Sequence, residues 1–219
     1  MEKITFIKNL HFGKDGLYSI DEFGETTMVF VRQGNLESAC VVYSLVMMLL
    51  LLNFIKVEDL KNPGCRDDDG FVAKLKKQYI DGLKALCKDG YKLPSFARRL
   101  AKSGDGIINV EAYTSVKEGK RNVVSFEKLH NIIEDTLEAG NPVQICYYNI
   151  ELQQGHSVVV IGYSRTSEVL RLYCLDPSAP LPYCSYWNHI IDVNVKDKNH
   201  DWSYNAECKI IVDEVLLIL

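Results

Sequence analysis

The chain has 219 residues, 47% of them hydrophobic and 25% charged, with 25 Lys and Arg against 29 Asp and Glu for a formal charge of −4. This is the composition of a globular protein with a sizeable core. The acidic balance supplies no field for nucleic acid, and no basic run is long enough to hold an anionic membrane surface. The opening stretch MEKITFIKNLHFGKDG lacks the apolar region and small-residue cleavage site of an export signal, so the expectation is a cytoplasmic chain. Seven cysteines are scattered singly, without C-x-x-C pairs or zinc spacing. That distribution predicts free thiols in a reducing compartment, most of them buried as small hydrophobes.

The first strand signal is TTMVFV, Thr26 to Val31, leading into Gln33. Ala39 to Ile55 follows as an apolar run that reads as a core helix; it is short for a membrane span and includes Tyr43, Ser44 and Asn53. Ser38 is its expected N-cap, Glu37 adds negative charge at its entrance, and Cys40 falls in its first turn. Charged, helix-spaced sequence continues from Asp67 to Gly90, and PSFARRLAKSG predicts a second helical piece. GIINVEAYTSV reads as a strand. SFEKLHNIIEDTLEAG reads as a helix capped by Ser125 and stopped at Gly140.

Beyond Gly140 the pattern turns to strands: PVQICYYN, HSVVVIGYS, VLRLYCLDPS and KIIVDEVLLIL, with SRTSE joining the second to the third as a hairpin. Helices first and sheet later predict an α+β fold with one shared core and an antiparallel C-terminal sheet.

Cys40 is the residue on which chemistry turns. A thiol at a helix N-terminus beside an imidazolium has its pKa lowered from about 8.5 into the range of about 3.5–7.5. Of the five histidines, His11 and His200 lie in polar stretches, His130 in an amphipathic helix, and His189 before an apolar run. His156 opens the strongest strand. Asp176 ends the next one, held extended by Pro177, and a hairpin sets the start of one strand beside the end of its partner. His156 and Asp176 are therefore expected as neighbours, the carboxylate fixing the tautomer of the ring. Gln33, seven positions before Cys40, is the expected side-chain donor of an oxyanion hole, where each such donor contributes about 3 kcal/mol.

The order Gln33, Cys40 on a buried helix, His156 in GHSVVVIGY and Asp176 in LDPS resembles the papain-like cysteine peptidases. The resemblance is nearest to the bacterial branch related to the double-glycine leader peptidases that process bacteriocins. There a helix ending G-x-P-V feeds a strand, a Gly-His strand and a strand ending Asp-Pro; here the counterparts are LEAGNPVQICYYN, GHSVVVIGYS and LYCLDPS. The likeness covers Arg32 to Ile55 and Ser125 to Ser178. The branch carries Asp/Glu-Cys-Gly with glutamine six positions upstream, whereas this chain has Ser-Ala-Cys followed by Val41 and a spacing one residue longer.

The resemblance implies a papain-like α+β domain over residues 1–219, with a helical insertion at about 56–122. It implies Cys40 as nucleophile, His156 as base, Asp176 as orienting group and Gln33 as oxyanion donor. The substrate would be a peptide or protein, with no cofactor, metal, nucleic acid or membrane insertion. The same constellation serves deamidases, transglutaminases and acyltransferases. The alternatives left open are a translocated effector or toxin, with an immunity or chaperone protein as partner, and a silent peptide-binding module.

Overall fold

The computed structural model describes residues 4–33, 39–61, 70, 73–74, 93–104, 106–115, 122–182, 184–196 and 201–219. The chain opens with β1 (Ile4–Phe6) and a small antiparallel sheet of β2 (Leu10–Gly13), β3 (Gly16–Ile20) and β4 (Thr26–Met28). Helices α1 (Cys40–Leu51), α2 (Val57–Lys61) and α3 (Leu93–Gly104) precede β5 (Val110–Thr114), and α4 (Phe126–Glu138) follows it. The remainder is β6 (Val143–Asn149), β7 (Gln154–Arg165), β8 (Val169–Leu175), β9 (His189–Asn194), β10 (Asp201–Ser203) and β11 (Cys208–Ile218).

The strands of the main sheet run β7-β6-β11-β10-β9-β8, and β8 pairs back onto β7, so six antiparallel strands close into a barrel. This corrects the α+β, papain-like helix-on-sheet expectation: the fold is mostly β. The described helices are only four, of 5 to 13 residues. Closure follows from long strands that bend. β7 has 12 residues and shifts register between Val160 and Gly162, and β11 shifts between Val212 and Glu214. Such bulges increase local twist and let one strand serve both neighbours.

Register identifies the barrel interior, because directly paired residues share a face. Ile145 opposes Val158, Tyr147 opposes His156 and Val212, Leu172 opposes Ile191, and Cys174 opposes Val160 and His189. The aliphatic members of this set are fully buried. β7 is buried on its outer face too, from Ser157 to Ser164, which is why it reads as an unbroken apolar run rather than an alternation. Phe6 of β1 crosses that outer face at Gly162, where an added Cβ would lie 2.3 Å from the Phe6 ring. Phe6 stacks on Trp187 with centroids 5.4 Å apart and packs against Tyr173 at 5.2 Å, fastening the N-terminal strand to β8 and the 185–187 loop.

Other expectations fare unevenly. α4 begins with Ser125 accepting from the Lys128 N–H at 3.2 Å, and Gly140 follows it with φ +88°. α1 stops where Asn53 turns left-handed at φ +58° and the Phe54 N–H returns to the Leu49 carbonyl at 2.9 Å. TTMVFV yields a strand only over Thr26–Met28. Ser38 and Glu37 lie outside the described residues, as does nearly all of the helix expected between Asp67 and Gly90. Within the 56–122 segment, β5 pairs with β11, and the Leu93 N–H donates to Glu214 Oε2 at 3.0 Å, which ties α3 to the barrel. No described helix is long and apolar enough to cross a membrane.

Candidate active site

α1 is aliphatic on every side and buried from Leu45 to Leu51, so it is held by packing all round its axis. Its first residue, Cys40, is half-buried, between buried Ala39 and buried Val41. The helix lies against the outer face of β6 and β7: Ser44 Oγ donates to the Ser157 carbonyl at 3.0 Å and Gln144 Nε2 to the Val41 carbonyl at 2.9 Å.

His156 enters from the start of β7 and Asp176 from the end of β8. Their side chains meet, His156 Nε2 lying 2.8 Å from Asp176 Oδ1. That oxygen also accepts from the Ser178 N–H at 2.8 Å and the Ser178 hydroxyl at 2.6 Å, while the Asp176 backbone is clasped by Asn188. Burial alone would raise the Asp176 pKa; the hydrogen bonds from His156 and Ser178 and the charge of His156 overturn it and hold the carboxyl down at about 2. Burial likewise opposes a charged His156, but the hydrogen bonds to Asp176 and Cys40 and their negative charge raise its pKa to about 10. Cys40 is thus near enough to the ring to contribute to that shift.

Gln33 is brought to the same place by its backbone, whose N–H donates to the Pro177 carbonyl at 2.9 Å. Its Oε1 is buried with no hydrogen-bond partner among the described residues. Among the described residues there is no cluster of His, Cys, Asp or Glu that could hold a metal ion.

Behind the His156–Asp176 pair the barrel interior is polar. Tyr147 presents its ring edge-on to His156 at 5.5 Å and parallel to His189 at 5.9 Å. His189 is 1% exposed, with Nε2 2.7 Å from Ser203 Oγ and Nδ1 4.0 Å from Asp176 Oδ2. Burial pushes its pKa down to about 4, the charge of His156 adding to the shift and that of Asp176 opposing it. Of these supporting residues Ser178 had a local signal, an aspartate–proline–serine turn. Asn188, His189, Tyr147 and Gln144 carry none, because only the barrel's register brings them to the site. Of the thiols, Cys174 and Cys208 are buried, Cys146 is half-buried and Cys184 exposed; Cys65 and Cys87 lie outside the described residues. Of the other histidines, His11 lies on β2, His130 is buried on α4, and His200 lies outside the described residues.

The family model described as Peptidase_C39 like matches residues 29–194, three quarters of the chain, a span within which Gln33, Cys40, His156 and Asp176 lie. The chain belongs to the Peptidase_C39-like family. It is, at family level, a cysteine peptidase, in keeping with a papain-like superfamily related to bacteriocin-processing peptidases. No curated protein matches this Peptidase_C39-like chain.

Proposed function

We propose that this chain hydrolyses peptide bonds through a Cys40–His156–Asp176 triad and a covalent acyl-enzyme. The observation that carries the reading is the His156–Asp176 pair, 2.8 Å apart and raising the basicity of a ring that Cys40 reaches. With Nε2 committed to Asp176, Nδ1 is the nitrogen that serves the thiol. Cys40 gives its proton to His156 and attacks the carbonyl carbon as the thiolate. The oxyanion is held by the Cys40 N–H and the Gln33 side-chain amide. His156 then protonates the leaving amine as the C–N bond breaks, and a water deprotonated by His156 releases the acyl group from sulfur. Asp176 holds the ring in one orientation and stabilises its charged form.

The test is mass spectrometry of bacterial and host lysates incubated with the protein and with Cys40→Ala. New peptide termini that appear only with the unaltered chain support hydrolysis. Mass changes without new termini would replace peptide hydrolysis by deamidation or acyl transfer at the same Cys40. No difference between the two proteins would remove the catalytic reading.

A further inference from the structure

α1 meets β6 and β7 through side chains that are aliphatic almost throughout, and aliphatic packing constrains the axial position and rotation of a helix less sharply than directional bonds do. One polar cluster is buried in this contact. Gln144, fully buried, donates from Nε2 to the Val41 carbonyl at 2.9 Å and to Ser157 Oγ at 2.9 Å. Ser157 Oγ donates to the Ile145 carbonyl at 3.1 Å, and Ser44 Oγ donates to the Ser157 carbonyl at 3.0 Å. The anchor points are telling. Val41 is the residue after Cys40, and Ser157 is the residue after His156.

We infer that Gln144, with Ser157 and Ser44, is a positioning residue that fixes the first turn of α1 against β7 and so sets the Cys40 thiol within reach of the His156 ring. The inference rests on the reading of Cys40 and His156 as nucleophile and base. The orientation of the amide follows from its partner: a backbone carbonyl only accepts, so Nε2 must face Val41. Oε1 is then left buried with no hydrogen-bond partner among the described residues. A side chain that strands a buried oxygen is a poor choice for stability, since an unpaired buried acceptor costs its full desolvation and an apolar side chain of the same shape does not. What it supplies is direction. An error of about 1 Å between reacting groups costs about 100-fold in rate, and two bonds from one amide tie Val41 to Ser157 directly.

The experiment measures carbamidomethylation of Cys40 by iodoacetamide on the full chain, by peptide mapping from pH 5 to pH 10, with exposed Cys184 as internal reference and thermal unfolding in parallel. Gln144→Met keeps length and volume and removes both amide bonds. The expected result is a Tm equal to or above that of the unaltered protein, with Cys40 alkylation at pH 6 slowed by about tenfold or more. Ser44→Ala, which removes one bond of the cluster, should slow Cys40 less. A folded Gln144→Met protein whose Cys40 reacts at the unaltered rate overturns the inference. Should Gln144→Met fail to fold, an unchanged Cys40 rate in Ser44→Ala overturns it and a slowed one supports it. His156→Ala separates the two readings. If His156→Ala slows Cys40 and Gln144→Met does not, only the positioning role falls. If His156→Ala leaves Cys40 unchanged, the base assignment falls and this inference with it.

Discussion

Asn188 grips the backbone of Asp176 on both sides: its Oδ1 accepts the Asp176 N–H at 2.7 Å and its Nδ2 donates to the Asp176 carbonyl at 2.8 Å, with a second bond to the Ala179 carbonyl at 2.9 Å. One buried side chain therefore holds the turn that aims the carboxylate. Asn188→Ala leaves these backbone groups without those partners, at about 1–3 kcal/mol for each one left unsatisfied. The expected outcome is a Tm lower by roughly 5–10 °C together with weaker alkylation of Cys40. Calorimetry and peptide mapping check the two. An unchanged Tm would mean that the turn holds itself through Pro177 and Ser178.

The pH dependence of the proposed reaction follows from the pair that Asn188 supports. His156 titrates at about 10 against 6.5 for an unperturbed ring, so the imidazolium that protonates the leaving amine is lost as pH rises through 10. Asp176→Asn removes the charge and reshapes the hydrogen bond that raise it. The alkaline limb of the pH–rate profile should move toward neutrality, while His156→Ala and Cys40→Ala abolish turnover. The stability linkage has matching signs. The contribution of His156 is full below pH 6.5 and is lost through pH 10; that of Asp176 is full above 3.8 and is lost as pH falls through 2. An alkaline limb that stays in place in Asp176→Asn would take the carboxylate out of the mechanism.

Gln33→Ala should lower kcat by about 100-fold with little change in KM, because an oxyanion donor strengthens its bond only in the transition state. Gln33→Glu should do no better, since a carboxylate repels the developing charge. The backbone N–H of Gln33, bonded to the Pro177 carbonyl, is retained in both variants, which limits the loss to the side chain. Wild-type kcat in a folded Gln33→Ala protein would leave the oxyanion to backbone donors.

His189 is predicted to make the fold sensitive to mild acid. Its pKa is about 4 in the folded protein and 6.5 unperturbed. Between these values the unfolded chain binds a proton that the folded chain does not, so stability falls as pH drops from 6.5 to 4. The groups facing His189 are Asp176, His156, Tyr147 and Ser203. Asp201, raised by burial to about 6 from 3.8, works the other way as pH falls through that range. Comparing variants isolates His189: in His189→Gln the loss of Tm between pH 6.5 and pH 4 should be smaller than in the unaltered protein. Equal losses would place the acid sensitivity elsewhere.

Gly162→Ala tests how the N-terminal strand is attached. The added Cβ would lie 2.3 Å from Phe6 Cδ1 and 2.6 Å from the Thr5 carbonyl oxygen. The oxygen belongs to backbone paired with β7, so β1 must shift, at about 1–3 kcal/mol for overpacking. A Tm lower by roughly 3–10 °C is expected, with exchange of the Ile7 amide, bonded to the Ile161 carbonyl, faster by hydrogen exchange. Unchanged exchange would show that Phe6 yields instead of the strand.

By itself the sequence determined the pieces whose causes are local. The ends of α4 follow from Ser125 and Gly140, the burial of α1 from its apolar wheel, and the nearness of His156 to Asp176 from one hairpin between two strands. Closure of the sheet was decided only in three dimensions, because a period-2 alternation reads the same in an open sheet and in a barrel; the register shifts at Val160/Gly162 and Val212/Glu214 have no pattern of their own. The same holds for the residues that surround the site. Asn188 reaches Asp176 across twelve positions, and Gln144 reaches Val41 across more than a hundred. Such contacts are properties of register and helix placement, and no short stretch of chain encodes them.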